Sequence, residues 1–400
     1  MTPRLLVIGG EDHELRIPFL LRLRGLSYHI IAAGTGDPAP FVRAGIEYQP
    51  FDFGRFVNPM RDLRTVGRLA EMFRAVRPDI VQCFDTKPNL LGPLAARRRH
   101  FGTIPVVRTI NGMGWIFSSN RWPALSLRPL YRTLHRIAAR STAATVFQNY
   151  HDRDEFRRNG MLGRGQSRYI PGSGVDPAAF ARDRDAGPAP GALRDELGLG
   201  AAEVVITVTR LTRQKGIPTL LQAAKRVHAV RPGVRFLLVG PRQSEGPLAV
   251  TQAELDAHAP YVIATGRRAD VPSLLGLADV FVFPTEYREG VPRAVMEAAL
   301  ASLPIVATRM PGCTDIVRDG WSGSLVPPRD PAALAAAILA MLADPPAATK
   351  MGCRAAELVR QEFTLDLVTA GYAALYAELL NGGPIAAGAV PGVLQTAGPC

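Results

Sequence analysis

Residues 280–308 read VFVFPTEYREGVPRAVMEAALASLPIVAT. Val280–Phe283 and Ile305–Thr308 are short apolar runs rich in β-branched and aromatic side chains, the signature of buried strands. Between them, after the turn-like Pro284-Thr285, the apolar residues fall at helical spacing. Pro292 suits the first helical position, where its missing N–H costs nothing. A strand, a helix and a second strand over this length form a crossover between parallel strands. The same alternation continues outward. Val204–Thr209, Arg235–Val239 and Tyr261–Ala264 precede it as strands. In the first half Leu5–Ile8, Tyr28–Ala32, Ile80–Cys83, Pro105–Thr109 and Ala144–Phe147 alternate with amphipathic stretches such as Ile17–Arg24 and Leu63–Val76. The fold class is therefore α/β, with two Rossmann-like, doubly wound parallel-sheet domains facing each other across a cleft.

The chain has 400 residues, more than one small domain needs. Arg182–Ala192 is rich in Pro, Gly and Asp, as an exposed linker is. The expected organisation is an N-terminal domain over 1–181, a linker over 182–192 and a C-terminal domain over 193–364. A helix at about 365–380 packs back on the first domain, and 381–400, rich in Gly, Ala and Pro, form a disordered tail. Apolar residues at 47% and charged residues at 20% exclude a chain disordered throughout. No apolar stretch reaches the roughly 18 residues of a membrane-spanning helix. Cys83, Cys313, Cys353 and Cys400 are scattered without a C-x-x-C pair, which speaks against a disulfide framework or zinc site and for a reducing compartment.

The net charge of +12 is uneven, with 28 Lys and Arg against 16 Asp and Glu through Asp185, and 19 against 19 afterwards. A basic first half points to an anionic partner: nucleic acid, an anionic membrane face or a phosphorylated substrate. The alternative is an Arg-rich composition alone, since only Lys87, Lys215, Lys225 and Lys350 are lysines.

In open parallel sheets ligands bind beyond the carboxyl ends of the strands. Glu289 to Glu297 follows the strand Val280–Phe283. The backbone amides of Gly290 and Val291 then face the cleft at a helix N-terminus, which suits a diphosphate. Glu289 just outside the helix and Glu297 inside it can accept hydrogen bonds from separate hydroxyls of one ligand. The alternative is a dipole partner and a solvated carboxylate, although Glu297 sits between Met296 and Ala298–Leu300. After Val204–Thr209, Arg210 and Lys215 form a pair of phosphate-binding cations, and a lysine surviving in so Arg-rich a chain suggests a site that wants a compact charge. The alternative is an ordinary loop opening the helix Ile217–Val227. Gly9-Gly10 follow the first strand, but the run into Glu11-Asp12-His13 does not spell G-x-G-x-x-G, which argues against a dinucleotide. His13 and Arg16 stand at the same end. Two D-x-D strings, Asp152-Arg153-Asp154 and Asp183-Arg184-Asp185, fall in a helical stretch and in the linker, so no metal is expected.

Together these motifs resemble the retaining glycosyltransferases of family 4, of GT-B fold. Glu289 and Glu297 match the family's E-x7-E. "ADVFVFPT", "DIVRDGWSGSLVPPRD" and "VTRLTRQKGIPTLLQA" match its C-terminal domain over about 204–330. "IPFLLRLRGLSYHIIAAGTGD", "PDIVQCFDTKPNLLGPLAAR" and "RTINGMGWIF" resemble members that extend lipid-linked oligosaccharides and capsular polysaccharides. The resemblance implies that Glu297 binds the nucleotide ribose, Glu289 the donor-sugar hydroxyls, and Arg210 and Lys215 the donor diphosphate. The loop at Gly9 and Gly10 closes over phosphates and acceptor. Asn111 stands where many relatives carry histidine. The implied activity is metal-independent hexosyl or N-acetylhexosaminyl transfer, without a cofactor, from a UDP-linked donor to a polyprenyl-diphosphate-linked or saccharide acceptor. Base identity rests on backbone contacts near Gly266–Arg268.

The segment Trp115–Arg140 interleaves aromatic and aliphatic residues with Arg, which suits an anionic membrane surface. The expectation is thus a cytoplasmic enzyme on the inner face of the plasma membrane. Two other readings compete: a nucleotide-sugar 2-epimerase of the same architecture, and a nucleic-acid-binding protein. The latter is disfavoured because the arginines lack the aromatic-bearing strands of single-strand binders.

Overall fold

A computed structural model describes residues 2–10, 12–54, 58–97, 104–118 and 122–382. The chain forms two compact units, each built on one wholly parallel sheet. The first contains Met1–Asn111, Leu125–Pro171 and the stretch from Leu365; the second contains Gly112–Ala124 and Gly172–Thr364.

The first sheet holds β1 (Arg4–Gly9), β2 (His29–Gly34), β3 (Glu47–Pro50), β4 (Ile80–Phe84), β5 (Val106–Ile110), β6 (Ala144–Phe147) and β7 (Gln166–Tyr169). Their order is β3-β2-β1-β4-β5-β6-β7. Leu5 of β1 stands level with both Ile30 of β2 and Ile80 of β4. Helices cover both faces, so the strands are apolar on both sides: Leu5 and Val7 enter one core, Leu6 and Ile8 the other.

The second sheet holds β8 (Val204–Val208), β9 (Arg235–Val239), β10 (Val262–Gly266), β11 (Val280–Phe283), β12 (Ile305–Thr308) and β13 (Ser324–Val326), in the order β10-β9-β8-β11-β12-β13. Phe281 and Phe283 pack on one face, Val280 and Val282 on the other. The Ala-rich helix Pro331–Ala343 starts at Asp330, whose side chain accepts from the N–H groups of Ala332 and Ala333, and buries Leu334 and Ile338 in that second core. Among the described residues no single helix is long and apolar enough to cross a membrane.

The organisation departs from the sequence reading in five places. The expected linker 182–192 is instead parts of two packed helices, Pro177–Asp185 and Pro190–Glu196, whose Phe180 and Leu193 are buried in the core on the Phe281 and Phe283 face of the second sheet. The second unit accordingly starts at Gly172, not after 181. It also claims Gly112–Ala124, where the Ser118 hydroxyl accepts from the Arg288 N–H at 2.7 Å. Pro292 is the N-cap, with extended backbone, and the helix proper runs Arg293–Leu300. The strands β3, β7 and β13 were not expected; each is a short edge strand, and β3 and β7 are largely polar. The proposed tail falls, from 383 onward, outside the described residues.

Helix Leu365–Leu380 belongs to the first unit. It buries Val368, Tyr372, Leu375 and Tyr376 against the sheet. Two hydroxyls lock it there. Tyr376 donates to Gln82 Oε1 at 2.9 Å, and Tyr372 pairs with Thr109 at 2.9 Å, all within the core. Arg168 adds two hydrogen bonds to the Glu378 carboxylate, at 2.7 and 2.8 Å. Tyr376→Phe leaves the buried Gln82 oxygen without that partner and is expected to cost about 1–3 kcal/mol. Urea unfolding checks it; a loss below 0.3 kcal/mol would show that the helix is held by packing alone.

Candidate functional site

In each sheet the strand order reverses once, between β1 and β4 and between β8 and β11. There the following chain segments leave toward opposite faces and open a crevice at the carboxyl ends.

In the second unit β8 delivers Arg210 and Lys215 to this point, and β11 delivers the loop Pro284–Pro292. Lys215, in a single 3-10 turn, is buried and ion-paired to Glu289. Its ammonium also lies over the Phe283 and Tyr287 rings, 5.8 and 5.6 Å from their centroids. Thr285 donates to the same Glu289 oxygen at 3.1 Å and accepts from the Tyr287 N–H at 3.2 Å. Glu286 is tied by its N–H to Gln214 O and by its carboxylate to Thr219 and Arg329. The loop after β11 is thus bolted to the loop after β8.

Two glycines make that closeness possible. Gly216 (φ 71°) and Gly312 (φ 89°) take left-handed backbone, and a Cβ on either would stand 1.9 Å from a carbonyl oxygen, of Pro284 and of Gly290 respectively. Val291 turns its side chain into the core, beside Gly172, so only its backbone is available to a ligand. The N–H groups of Gly290 and Val291 donate to no protein atom among the described residues, the arrangement expected at the anion-binding end of helix Arg293–Leu300. Glu297 lies one turn in and is held by Arg293 Nε at 2.7 Å. Arg210 is exposed at the end of β8. Beside it opens a pocket of about 620 Å³ lined by Leu211, Gly240, Arg242, Gln252, Thr265 and Gly266, at the ends of β8, β9 and β10.

In the first unit the hub is Asp85, just after β4, which the sequence reading did not single out. Its carboxylate accepts from the Gly10 N–H at 2.8 Å, Arg16 Nη2 at 2.9 Å and Asn111 Nδ2 at 3.0 Å. Burial pushes its pKa up, but the Arg16 guanidinium and these hydrogen bonds outweigh that and hold it below the ordinary carboxylate value. Asp85 has φ 68°, a left-handed conformation that Asp tolerates better than most residues. The signal available in the sequence was positional: an acidic residue immediately after a strand, at the crossing point.

Gly10, Arg16 and Asn111 are therefore brought together around Asp85. His13 is not at their surface. It is 1% exposed, its ring under Gly9 and against Phe41 and Tyr48. Burial first, and Arg16 second, push its pKa down to about 3, so the ring is neutral at neutral pH. The two D-x-D strings are both on helices; Asp152 is buried and bonded to the cap residue Asn149. The position of Asn111 makes it a donor to Asp85, not a replacement cation.

Comparison with known proteins bears on the family and the fold. The model of the glycosyl transferases group 1 family matches residues 202–344, and that of the glycosyl transferase 4-like domain matches 20–172. The GDP-mannose-dependent alpha-(1-6)-phosphatidylinositol monomannoside mannosyltransferase of Mycolicibacterium smegmatis is 29% identical, over 66% of this chain and 66% of its own length. Its Mycobacterium tuberculosis counterpart is 30% identical, over 70% of this chain and 71% of its own length. The N,N'-diacetylbacillosaminyl-diphospho-undecaprenol alpha-1,3-N-acetylgalactosaminyltransferase of Campylobacter jejuni is 23% identical, over 79% of this chain and 82% of its own. Among solved structures, Anabaena HepE in complex with UDP-glucose has a TM-score of 0.75 at 20% identity, covering 95% of this chain and all of that one; this likeness bears on the fold.

Asp85→Asn keeps a side chain that tolerates left-handed backbone but removes the charge facing Arg16. It is expected to cost about 1–3 kcal/mol, and Asp85→Ala more, because alanine also strains the backbone. Urea midpoints within 0.3 M of the parent for both would remove Asp85 as the hub.

Proposed function

The chain belongs to the group 1, 4-like glycosyltransferases, and from that premise we propose that it transfers a hexose or N-acetylhexosamine, with retention, from a UDP-linked donor to a hydroxyl of a lipid-linked or saccharide acceptor. One observation carries the reading: at the crossing point of the second sheet, Arg210 and Lys215 follow β8 and the unbonded Gly290 and Val291 amides follow β11, and a pocket of about 620 Å³ opens at the ends of β8, β9 and β10. The pocket takes the base, with Gly266 contributing backbone. The cations and amides take the diphosphate. Names of relatives support the acceptor class, since a phosphatidylinositol mannoside and an undecaprenyl diphosphate both carry their sugar on lipid.

The chemistry follows from where charge develops. As the bond from the anomeric carbon to the phosphate oxygen breaks, negative charge grows on the leaving diphosphate and the sugar takes on oxocarbenium character. Arg210, Lys215 and the helix N-terminus answer the first charge with fixed groups. No metal is assigned to that task, and added chelator is expected to leave turnover unchanged. The acceptor oxygen bonds to the anomeric carbon on the face the diphosphate leaves, and its proton passes to a phosphate oxygen. Such a front-side transfer needs no protein base. Glu289, oriented by Lys215 and Thr285, positions the sugar hydroxyls, and Glu297 the ribose. The Gly10, Arg16 and Asn111 group around Asp85 is assigned to the acceptor.

Lys215→Ala and Arg210→Ala are each expected to lower transfer about 10²–10³-fold, as lost transition-state donors do. Activity within twofold of the parent for both would remove them from the site. The glutamates separate by readout. Glu297→Gln is expected to weaken UDP binding in calorimetry, whereas Glu289→Gln is expected to leave it nearly intact and lower turnover; the reverse order would exchange their roles. A product assay tests the reaction class. UDP release matched by glycosylated acceptor is expected, whereas donor converted to an epimer without acceptor would overturn the proposal.

A further inference from the structure

Both polar groups of Arg288's backbone are taken by one short segment of the second unit. The Arg288 N–H donates to the Ser118 hydroxyl at 2.7 Å, and the Arg288 carbonyl accepts from the Gly114 N–H at 3.4 Å. Ser118 ends the helix Gly114–Ser118, and Gly112–Ala124 belongs with Arg288 to the second unit. The Ser118 hydroxyl has a single proton and donates it to the Gly114 carbonyl at 2.7 Å. Its oxygen therefore faces Arg288 as an acceptor only.

Two glycines let the segment come this close. Gly112 has φ 112°, and a Cβ there would stand 2.7 Å from the Arg288 carbonyl oxygen and 2.8 Å from both the Glu289 carbonyl carbon and the Gly290 nitrogen. Gly114 has φ 63°, and a Cβ there would stand 2.7 Å from the Tyr287 hydroxyl. Each position needs glycine both for its backbone and for its closeness. Met113 between them is buried. Four successive residues, Tyr287 to Gly290, thus meet this segment. They are the residues that define the crossing point: the Tyr287 ring faces the Lys215 ammonium, Glu289 pairs with it, and the Gly290 N–H donates to no protein atom among the described residues. Lys215 and Thr285 hold the Glu289 carboxylate, but a held carboxylate leaves the tilt of the neighbouring peptides to the backbone. Ser118 pins that backbone one residue earlier.

We propose that Ser118 is a positioning residue for the diphosphate site: through the Arg288 N–H it sets the tilt of the Glu289 and Gly290 peptides and so aims the Gly290 amide at a phosphate oxygen. Ser118 acts through the loop and not on the ligand. Aim matters because a hydrogen bond weakens steeply once it is bent, and one to a charged oxygen is among the stronger ones. The role presupposes that the Gly290 amide takes a donor phosphate, as proposed above, and the measurement below separates the two.

The test is calorimetric titration of the full chain with UDP and with uridine, for the parent, Ser118→Ala and Ser118→Thr. The parent is expected to bind UDP far more tightly than uridine, since only UDP reaches the amides and cations. Ser118→Ala is expected to weaken UDP about tenfold, as one misaimed hydrogen bond to a charged group does, and to leave uridine nearly unchanged. Its melting temperature without ligand is expected to move by less than about 2 °C, which shows that the variant is folded. Ser118→Thr keeps the hydroxyl and is expected to keep the parent's preference. A parent that binds UDP and uridine alike would remove the phosphate reading and this role with it. A parent that prefers UDP, with the same preference in Ser118→Ala, would overturn the positioning role alone. So would an equal loss of both ligands in Ser118→Ala, or a loss in Ser118→Thr as large as in Ser118→Ala, because either marks Ser118 as part of the scaffold only.

Discussion

A parallel sheet whose strand order reverses cannot close its own carboxyl edge. At the reversal the two neighbouring strands send their helices to opposite faces, and the loops between must fill the gap or leave it for a ligand. Both units meet this constraint, and both gather polar side chains at it: β1 and β4 around Asp85, β8 and β11 around Lys215 and Glu289. Strand continuity supplies the precision. Val205 and Val280 are level across β8 and β11, so the loops that follow start from a fixed offset.

What distinguishes the two crossing points is charge. In the second unit a lysine is desolvated between a carboxylate and two aromatic rings, and the amides of a helix start lie nearby. Fixed positive groups of this kind bind a diphosphate without reorganisation when it leaves. In the first unit the carboxylate is the centre, and a guanidinium, an amide and a backbone N–H converge on it. Its charge is already spent on holding neighbours in register, and its depressed pKa makes it a poor proton acceptor. That assigns Asp85 to positioning, consistent with a transfer in which the leaving phosphate takes the proton.

Much of this was legible in the sequence because both faces of central strands are buried, and apolar runs such as VFVF and IVAT have few other uses. The edge strands were not: Glu47–Pro50 and Gln166–Tyr169 pair on one side only and can afford polar residues, so they look like loops. The misread linker has the same origin. Helices Pro177–Asp185 and Pro190–Glu196 are short, start with proline and show mostly charge, while the single buried residues Phe180 and Leu193 that anchor them are invisible to a composition count. Lys215 and Glu289 stood out by rarity and by spacing. Asp85 did not, because its meaning depends on Gly10, Arg16 and Asn111 arriving from three other segments. His13, at the same strand end, serves packing: the missing Cβ of Gly9 is what lets its ring lie beneath the turn.

The central claim is that the second unit grips a nucleoside diphosphate chiefly by its phosphates. Thermal unfolding of the parent chain with UDP and with uridine tests it most directly. At 100 times its dissociation constant UDP is predicted to stabilise the fold by about 2.7 kcal/mol, and uridine at the same concentration to stabilise it far less. Equal stabilisation by the two ligands, or none by UDP or GDP, would contradict the account.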